Sequence, residues 1–337
     1  QDSGYFWRPM NLHAQKIYDP LKGQYLSDSF YNVAFAPGFN GRPAGGIHTL
    51  VVSSSQSGLW RSLNLDQTWA RLGFVCRTEF YFDPADGNTG YCGHVNAALN
   101  LSVMYRTTGG LTNWVQFGNQ DFEHLTQSPT FTADRTFFGF TSNDPLDSTR
   151  CGLVRSTDAG QHFQQLQSYC CTTGARSDAI LSPNYATDHV LMVMGKNTLG
   201  PGNLLLFSSD GGASFTQQSY QYGTLIADFP PDYNVSANPR IYAGCDPGTG
   251  SGASFQVSND NGVTFAPTGT GGMAPSRFNG QFALSPSVVT EQMVFGRGSP
   301  LNAMLRNSEP GARWCPADHR TDPTSYSRGA FCTQYTR

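Results

Sequence analysis

Short apolar runs of four to seven residues, rich in Val, Phe, Leu and Tyr, recur along the chain between turns of Gly, Pro, Asn and Asp. Runs of this length and composition predict β-strands. No segment keeps the apolar spacing of a helix over ten or more positions. The runs fall into groups of four: strand A, a hairpin with a proline, strand B, a variable loop, strand C, a tight turn and strand D. The pattern therefore predicts an all-β protein built from four-stranded antiparallel units.

The tight turn between strands C and D is an octet that recurs six times. Three copies are nearly alike, "STDAGQHF", "SSDGGASF" and "SNDNGVTF", and three are looser, "SLNLDQTW", "TTGGLTNW" and "NSEPGARW". Their starts lie 45, 49, 52, 50 and 49 residues apart. A proline precedes each octet by 21 to 27 residues, namely Pro37, Pro84, Pro129, Pro183, Pro231 and Pro286. Four antiparallel strands repeated at this period predict a β-propeller, in which each repeat is one blade.

The octet residues indicate a structural role for the turn. Glycine at position 5 supplies the positive φ of a tight turn, and a carboxylate at position 3 accepts hydrogen bonds from turn amides. The aromatic residue at position 8 begins strand D and packs between blades. The acidic residues that we assign to the octets as structural are Asp66, Asp158, Asp210, Asp260 and Glu309.

The repeat also predicts the organisation of the whole chain. We expect one propeller domain over residues 1–337, with blades at about 31–72, 73–117, 118–166, 167–218, 219–268 and 269–317. The termini, 1–30 and 318–337, together amount to about one further unit. "SRGAFCTQY" follows the last strand D as a strand A would, and "GYFWRPMNL" precedes the first strand A as a strand D would. We therefore favour seven blades with a composite terminal blade, and six blades is the alternative.

The pattern S-x-D-x-G-x-[ST]-[WF] resembles the Asp-box, or BNR repeat, of sialidases and other secreted propellers. The likeness covers residues 31–317. It implies a propeller fold but no single activity, because propellers of this superfamily include sialidases, xyloglucan-active hydrolases, receptor ectodomains and non-catalytic modules.

Composition favours an extracellular protein. Charged residues make up 13% of the chain, and the net charge is −3, which gives no electrostatic reason to expect nucleic acid as a partner. No apolar run reaches the ~20 residues of a membrane-spanning helix, and the chain starts at Gln1, as a secreted chain without its signal peptide would. The cysteine count is even, and no spacing suits zinc, so we expect disulfides and no metal or other cofactor. The cysteines are Cys76, Cys92, Cys151, Cys170, Cys171, Cys245, Cys315 and Cys332.

The cysteine positions suggest some of the pairs. Cys76 and Cys92 flank one hairpin, Cys151 and either Cys170 or Cys171 flank another, and Cys315 and Cys332 bracket the C-terminal segment. The triplets that begin at Asn100 and Asn234 are glycosylation sequons, which suit a secreted protein. We therefore expect a secreted or cell-surface glycoprotein.

Candidate binding residues lie on the face formed by the D–A and B–C loops. Arg77, Arg176 and Arg277 each precede a hairpin proline by seven to nine residues. Glu79 and Asp178 follow the first two arginines by two positions, hence on the same side of a strand. Converging arginines would hold a carboxylate or sulfate, and the alternative is that each arginine pairs with the acid of its own blade.

The evidence for catalysis is weaker. "FWRPM" lacks the aliphatic residue of the sialidase arginine motif, and only Glu79 or Glu123 could serve as the glutamate of a Tyr–Glu pair. A paired-carboxylate glycosidase could draw on Asp144, Asp147, Asp178, Asp246 or Asp322, none of which the sequence singles out. We therefore interpret the chain as a non-catalytic module that contacts a glycan, an extracellular protein or its own copies, for example within a surface coat or fibre. A sialidase-like glycoside hydrolase is the alternative.

Overall fold

The computed structural model describes most of the repeat region and parts of both flanks. The described residues are 18–19, 24–25, 30–39, 47–54, 57–65, 67–76, 78–96, 101–117, 122, 124–141, 150–170, 178–196, 203–218, 224–246, 254–267, 278–284, 294–298, 304–307 and 315–316. The chain divides into two compact units, one mainly Arg8–Ala179 and the other mainly Ile180–Arg337.

The first unit contains three four-stranded antiparallel sheets. Sheet 1 follows a short pair, β1 (Tyr18–Asp19) and β2 (Gln24–Tyr25), and consists of β3 (Phe30–Phe35), β4 (Leu50–Ser54), β5 (Gly58–Ser62) and β6 (Ala70–Arg71). Sheet 2 consists of β7 (Tyr81–Asp83), β8 (Asp86–Asn96), β9 (Leu101–Thr108) and β10 (Asn113–Gln116). Sheet 3 consists of β11 (His124–Gln127), β12 (Phe137–Phe140), β13 (Arg150–Ser156) and β14 (Gln164–Cys170), with α1 (Phe131–Asp134) between its first two strands.

The second unit contains three further sheets of the same kind, although β15 begins at the end of the first unit. Sheet 4 consists of β15 (Asp178–Leu181), β16 (Leu191–Lys196), β17 (Asn203–Ser208) and β18 (Thr216–Gln218), with α2 (Tyr185–Asp188) after β15. Sheet 5 consists of β19 (Thr224–Asp228), β20 (Ile241–Asp246), β21 (Ser254–Ser258) and β22 (Ala266–Pro267). Sheet 6 consists of β23 (Phe278–Leu284), β24 (Val294–Gly298), β25 (Met304–Asn307) and β26 (Cys315–Pro316).

In every sheet the strands pair in chain order, so each is a meander from the first strand to the fourth. The prediction of an all-β chain built from four-stranded antiparallel units is therefore confirmed. The proposed terminal strands, within 4–12 and 327–335, lie outside the described residues.

Apolar side chains fill the space between successive sheets. Between sheets 2 and 3 the buried cluster includes Tyr91, Met104, Phe122, Phe131 and Phe137. These aromatic rings pack edge-to-face or tilted, with centroids 4.7 to 6.3 Å apart, a geometry that aromatic pairs favour. Similar clusters lie between sheets 1 and 2 and between sheets 4 and 5. Large aromatic side chains can therefore hold together sheets that are themselves only four short strands wide.

The hairpin after the first strand contains a one-turn helix in sheets 3 and 4, which the sequence pattern did not predict. Ser182 Oγ donates to Asp188 Oδ2 at 2.5 Å, and the Val190 amide donates to Asp188 Oδ1 at 3.0 Å. Ser128 and Asp134 make the equivalent bond at 2.6 Å. The related segments "SPTFTAD" and "SPNYATD" therefore encode a turn in which the last aspartate holds both ends. The helices found in the described residues are too short and too polar to cross a membrane.

The octets form a hydrogen-bonded turn that is the same in three sheets. Ser208 Oγ accepts the Gly212 amide at 2.9 Å and donates to Asp210 Oδ1 at 2.7 Å. Asp210 also accepts the Ser214 amide and hydroxyl at 2.9 and 2.6 Å. Gly212 has φ 89°. The octets that contain Asp158 and Asp260 repeat this arrangement. The geometry that the three octets share therefore comes from their Ser and Asp side chains.

In the first octet an asparagine performs the role of this aspartate. Asn64 Oδ1 accepts the Thr68 amide at 2.9 Å and the Ser62 hydroxyl at 3.0 Å. Asp66, which we had assigned to this octet, lies outside the described residues, as does Glu309 of the last octet. The side chain that closes the turn is therefore the one at position 3 of the octet, even where that residue is an asparagine and an aspartate lies nearby.

Candidate functional site

Polar side chains lie at or just before the starts of the first strands of three successive sheets. Glu79 stands two residues before β7, His124 begins β11 and Asp178 begins β15. Tyr81, the first residue of β7, lies beside them. We call these four residues the first-strand rim. All four belong to the first unit.

Glu79 connects sheets 2 and 3 at this rim. Its Oε2 accepts the Leu125 amide at 3.1 Å, and its Oε1 lies 3.3 Å from His124 Nδ1. Both side chains are partly exposed, 32% for Glu79 and 23% for His124. Burial raises the pKa of Glu79, but the hydrogen bond and charge of His124, together with backbone amides, lower it more. The pKa of Glu79 is therefore below its ordinary value, and the carboxylate is ionised at neutral pH.

Tyr81 places a phenol beside two carboxylates. Its hydroxyl donates to the Leu125 carbonyl at 2.9 Å. Burial, followed by the negative charges of Glu79 and Asp178, raises the pKa of Tyr81 well above its ordinary value. Tyr81 is therefore a neutral hydrogen-bonding group at physiological pH.

The rim therefore combines an ionised carboxylate, a second carboxyl side chain, an imidazole and a phenol. Hydrolysis of a glycosidic bond needs two carboxyl groups, one to donate a proton and one to act as base or nucleophile. Glu79 is ionised at neutral pH, as the base or nucleophile of such a pair must be. In the described part of the chain, no group of three His, Cys, Asp or Glu residues is arranged to hold a metal ion.

The structure describes only part of the site predicted from the sequence. Glu79 and Asp178 both belong to the rim, whereas Arg77, Arg176 and Arg277 lie outside the described residues, so the pairing of these arginines stays a prediction. Glu123 and the side chains of Asp144, Asp147, Asp246 and Asp322 also lie outside them. The sequence analysis missed Tyr81 and His124. Their position at the start of a strand that follows a D–A loop was the available signal.

The cysteines and sequons are described in part. A disulfide joins Cys76, in the segment between β6 and β7, to Cys92 of β8, with Cα atoms 5.8 Å apart, and both cysteines are buried in the cluster between sheets 1 and 2. The side chains of Cys151, Cys170, Cys171, Cys245, Cys315 and Cys332 lie outside the described residues, and so does Asn100. Asn234 lies in the hairpin after β19 and is exposed.

One further carboxyl group has an unusual pKa. Asp228, the last residue of β19, accepts the Phe229 amide at 2.9 Å. Burial raises its pKa to about 6, although the Phe229 hydrogen bond acts in the opposite direction. Asp228 belongs to the second unit, so we treat it apart from the rim.

Comparison with known sequences gives a carbohydrate-active relative. No family model matches the chain. A xyloglucanase from Paenibacillus sp is 25% identical over 222 residues, which is 57% of this chain and 21% of that protein. The chain therefore spans about a fifth of the length of this relative.

Comparison with solved structures shows the fold. The GH74 xyloglucanase from Xanthomonas campestris matches with a TM-score of 0.57 and 14% identity, over 85% of this chain and 47% of that one. YCF48 bound to a D1 peptide matches with a TM-score of 0.54 and 15% identity, over 90% of this chain and 84% of that one. These neighbours are β-propellers, so the chain has a propeller fold.

Proposed function

We propose that the protein is a glycoside hydrolase-like Asp-box propeller that binds a polysaccharide at the first-strand rim. The observation that carries the proposal is the position of two carboxyl side chains, Glu79 and Asp178, at or just before the starts of the first strands of sheets 2 and 4, with His124 of sheet 3 bonded to Glu79. The similarity to a xyloglucanase supports a neutral glucan as the substrate class. Glu79 would be the base or nucleophile and Asp178 the proton donor.

The sequence interpretation favoured a non-catalytic module, whereas here we favour its alternative, a glycoside hydrolase. Both the sequence relative and one of the structural neighbours act on xyloglucan, and this favours the hydrolase alternative. The sialidase form of that alternative stays a prediction, because the arginines that it requires lie outside the described residues.

A binding module remains the second candidate, and two observations favour it. Both oxygens of Glu79 already have partners on sheet 3, which suits a structural link between blades. The chain also covers 84% of YCF48, a neighbour that is bound to a D1 peptide, and 47% of the GH74 xyloglucanase. The partner would then be a glycan or an extracellular protein, and self-association of the chain is a further form of this candidate.

We also propose the finer features of the fold and its location. The chain forms one domain of seven blades, closed by a composite terminal blade. Val33 and Phe35 on β3 are 45% and 56% exposed, and this apolar surface supports a further blade packed against sheet 1. The protein is secreted, its remaining cysteines form disulfides, and its sequons at Asn100 and Asn234 carry glycans. The Cys76–Cys92 bond and the exposure of Asn234 support this location.

The test is release of reducing ends from xyloglucan, β-glucan and a neutral oligosaccharide panel. We expect turnover in the wild type and a loss of at least 100-fold in Glu79→Gln, which keeps the size of the side chain but not its charge. Activity should fall at acidic pH, below the ordinary glutamate pKa of about 4.3, because the pKa of Glu79 is lowered.

Asp232→Asn is the matched control, since Asp232 is an exposed acid whose recorded bonds are to Asn238. Full turnover in Glu79→Gln would refute the catalytic assignment. Saturable glycan binding without turnover in the wild type would favour the module.

A further inference from the structure

An open cleft of about 360 Å³ lies between strands β8 and β9 of sheet 2 and the hairpin and octet turn of sheet 3. Both sheets belong to the first unit. The lining residues are Asp83, Tyr91, Arg106, Arg135, Asp158, Ala159 and Gln161. Ligand pockets usually measure about 300–1,000 Å³, so the cleft has room for a group of about one sugar ring.

The two carboxylates of the cleft already have internal partners. Asp83 Oδ2 accepts the Tyr91 hydroxyl at 3.0 Å and Arg135 Nη1 at 2.9 Å, and its Oδ1 accepts the Ala85 amide at 3.0 Å. Asp158 is held by Ser156 and by both the amide and the ring of His162. Asp83 is therefore paired with a cation, whereas Asp158 keeps its negative charge, because its partners are a hydroxyl, an amide and a histidine ring.

The two arginines still have donors to offer. Arg106 is exposed, with its guanidinium carbon 6.0 Å from the centre of the Tyr91 ring. Among the described residues, Arg106 has no carboxylate or hydrogen-bond acceptor within bonding distance. The Arg135 side chain is 42% exposed, and only its Nη1 is bonded to Asp83. The cleft therefore presents guanidinium N–H groups of both arginines to solvent.

The position of Arg135 is fixed by the backbone around it. It ends α1 in the left-handed conformation, with φ 51°. Its carbonyl accepts the Ala159 amide at 2.8 Å, which ties the hairpin to the octet turn. The bond to the nearly buried Asp83 then orients the guanidinium toward the cleft, so this side of the site is preorganised.

We propose that this cleft binds the carboxylate of an acidic sugar, with Arg106 and Arg135 as the ligands of that carboxylate. Guanidinium groups match a carboxylate with paired hydrogen bonds. Gln161 and the edge of the octet turn then contact the sugar hydroxyls. The site is separate from Glu79 and does not depend on catalysis there.

The lining favours a saccharide over a peptide. Peptide sites commonly offer a free sheet edge or apolar pockets for side chains. Of the lining residues here, only Ala159 is aliphatic, and the ring of Tyr91 is buried. The charged and amide side chains that line the cleft can bond to the hydroxyls and carboxylate of an acidic sugar.

The test is isothermal titration of the whole protein with trigalacturonate at fixed ionic strength, with cellotriose as the neutral probe. We expect saturable binding of trigalacturonate only. Arg106→Gln should weaken it at least tenfold, and Arg106→Lys should weaken it less. Arg240→Gln is the matched control, because Arg240 is also exposed but lies in the hairpin of sheet 5.

Amide hydrogen exchange gives a second measurement that needs no variant. Binding should slow exchange in residues 104–108 and 156–162 and leave the first-strand rim unchanged. Absence of saturable binding, equal binding of cellotriose, or unchanged affinity in Arg106→Gln would overturn the proposal. So would competition by sulfate at equal concentration, or binding of a peptide with a free C-terminus in place of the sugar.

Discussion

The octet turn gives the sharpest stability prediction. Asp210→Ala removes the acceptor of three hydrogen bonds, those from the Ser214 amide, the Ser214 hydroxyl and the Ser208 hydroxyl. Each such bond contributes about 0.5–1.5 kcal/mol net, and more when the acceptor is charged. Ser214 is exposed and can bond to water instead, so we expect a total loss of about 1–3 kcal/mol rather than the full sum.

Two variants provide the controls. Asp210→Asn should lose less, because Asn64 already closes the first octet with its amide oxygen at 2.9 Å from the Thr68 amide. Ser209→Ala changes position 2 of the same octet, which is exposed and whose side chain makes no hydrogen bond within the described part of the chain. Urea unfolding measures the free energy, and hydrogen exchange at Gly212 and Ser214 measures the turn itself.

The effect of Asp210 should also depend on pH. Hydrogen bonds from the Ser214 hydroxyl and amide lower its pKa to about 2, against about 3.9 in an unfolded chain. A lowered pKa in the folded state means that the stabilisation is present above about pH 4 and is lost as the pH falls toward 2. If Asp210→Ala were as stable as Ser209→Ala at pH 7, the reasoning about the octets would be wrong.

Two further predictions concern covalent structure and a buried acid. Peptide mapping without reductant should recover Cys76 linked to Cys92, and Cys76→Ala should lower stability by about 2–5 kcal/mol, whereas alkylation of both thiols in the native protein would contradict this bond. Asp228→Asn should stabilise the protein at pH 7 but hardly at pH 4, because burial raises the Asp228 pKa to about 6 and the cost of ionisation appears only as the pH rises from about 4 to 6. An equal effect at both pH values in urea unfolding would refute this account of Asp228.

Much of the fold could be predicted from the sequence because its signals are local. Each strand run, hairpin proline and octet is a signal within fewer than ten residues. Because these signals repeat at a regular period, the looser copies can be recognised from the closer ones. The one-turn helices after Pro129 and Pro183 were not predicted, because four residues are too few to show a helical period. The shared Ser and Asp of those segments explain them only once the side-chain bonds are known.

The candidate sites could be predicted less well because they depend on contacts between sheets. Glu79 and His124 are 45 residues apart, and nothing in their spacing shows that they meet. The cleft likewise joins Asp83 to Arg135 across two repeats. Glu79 and Asp178 were found from the sequence because both occupy the same place in their repeats, whereas the partners of Glu79 needed the packing of the sheets.

A crystal structure of Glu79→Gln soaked with a xyloglucan oligosaccharide tests the central claim most directly. The account predicts sugar density at the first-strand rim, with a glycosidic oxygen or anomeric carbon within hydrogen-bonding or van der Waals reach of positions 79 and 178. Sugar bound only at another surface, or no sugar at saturating concentration, would contradict the assignment of this rim as a glycan site.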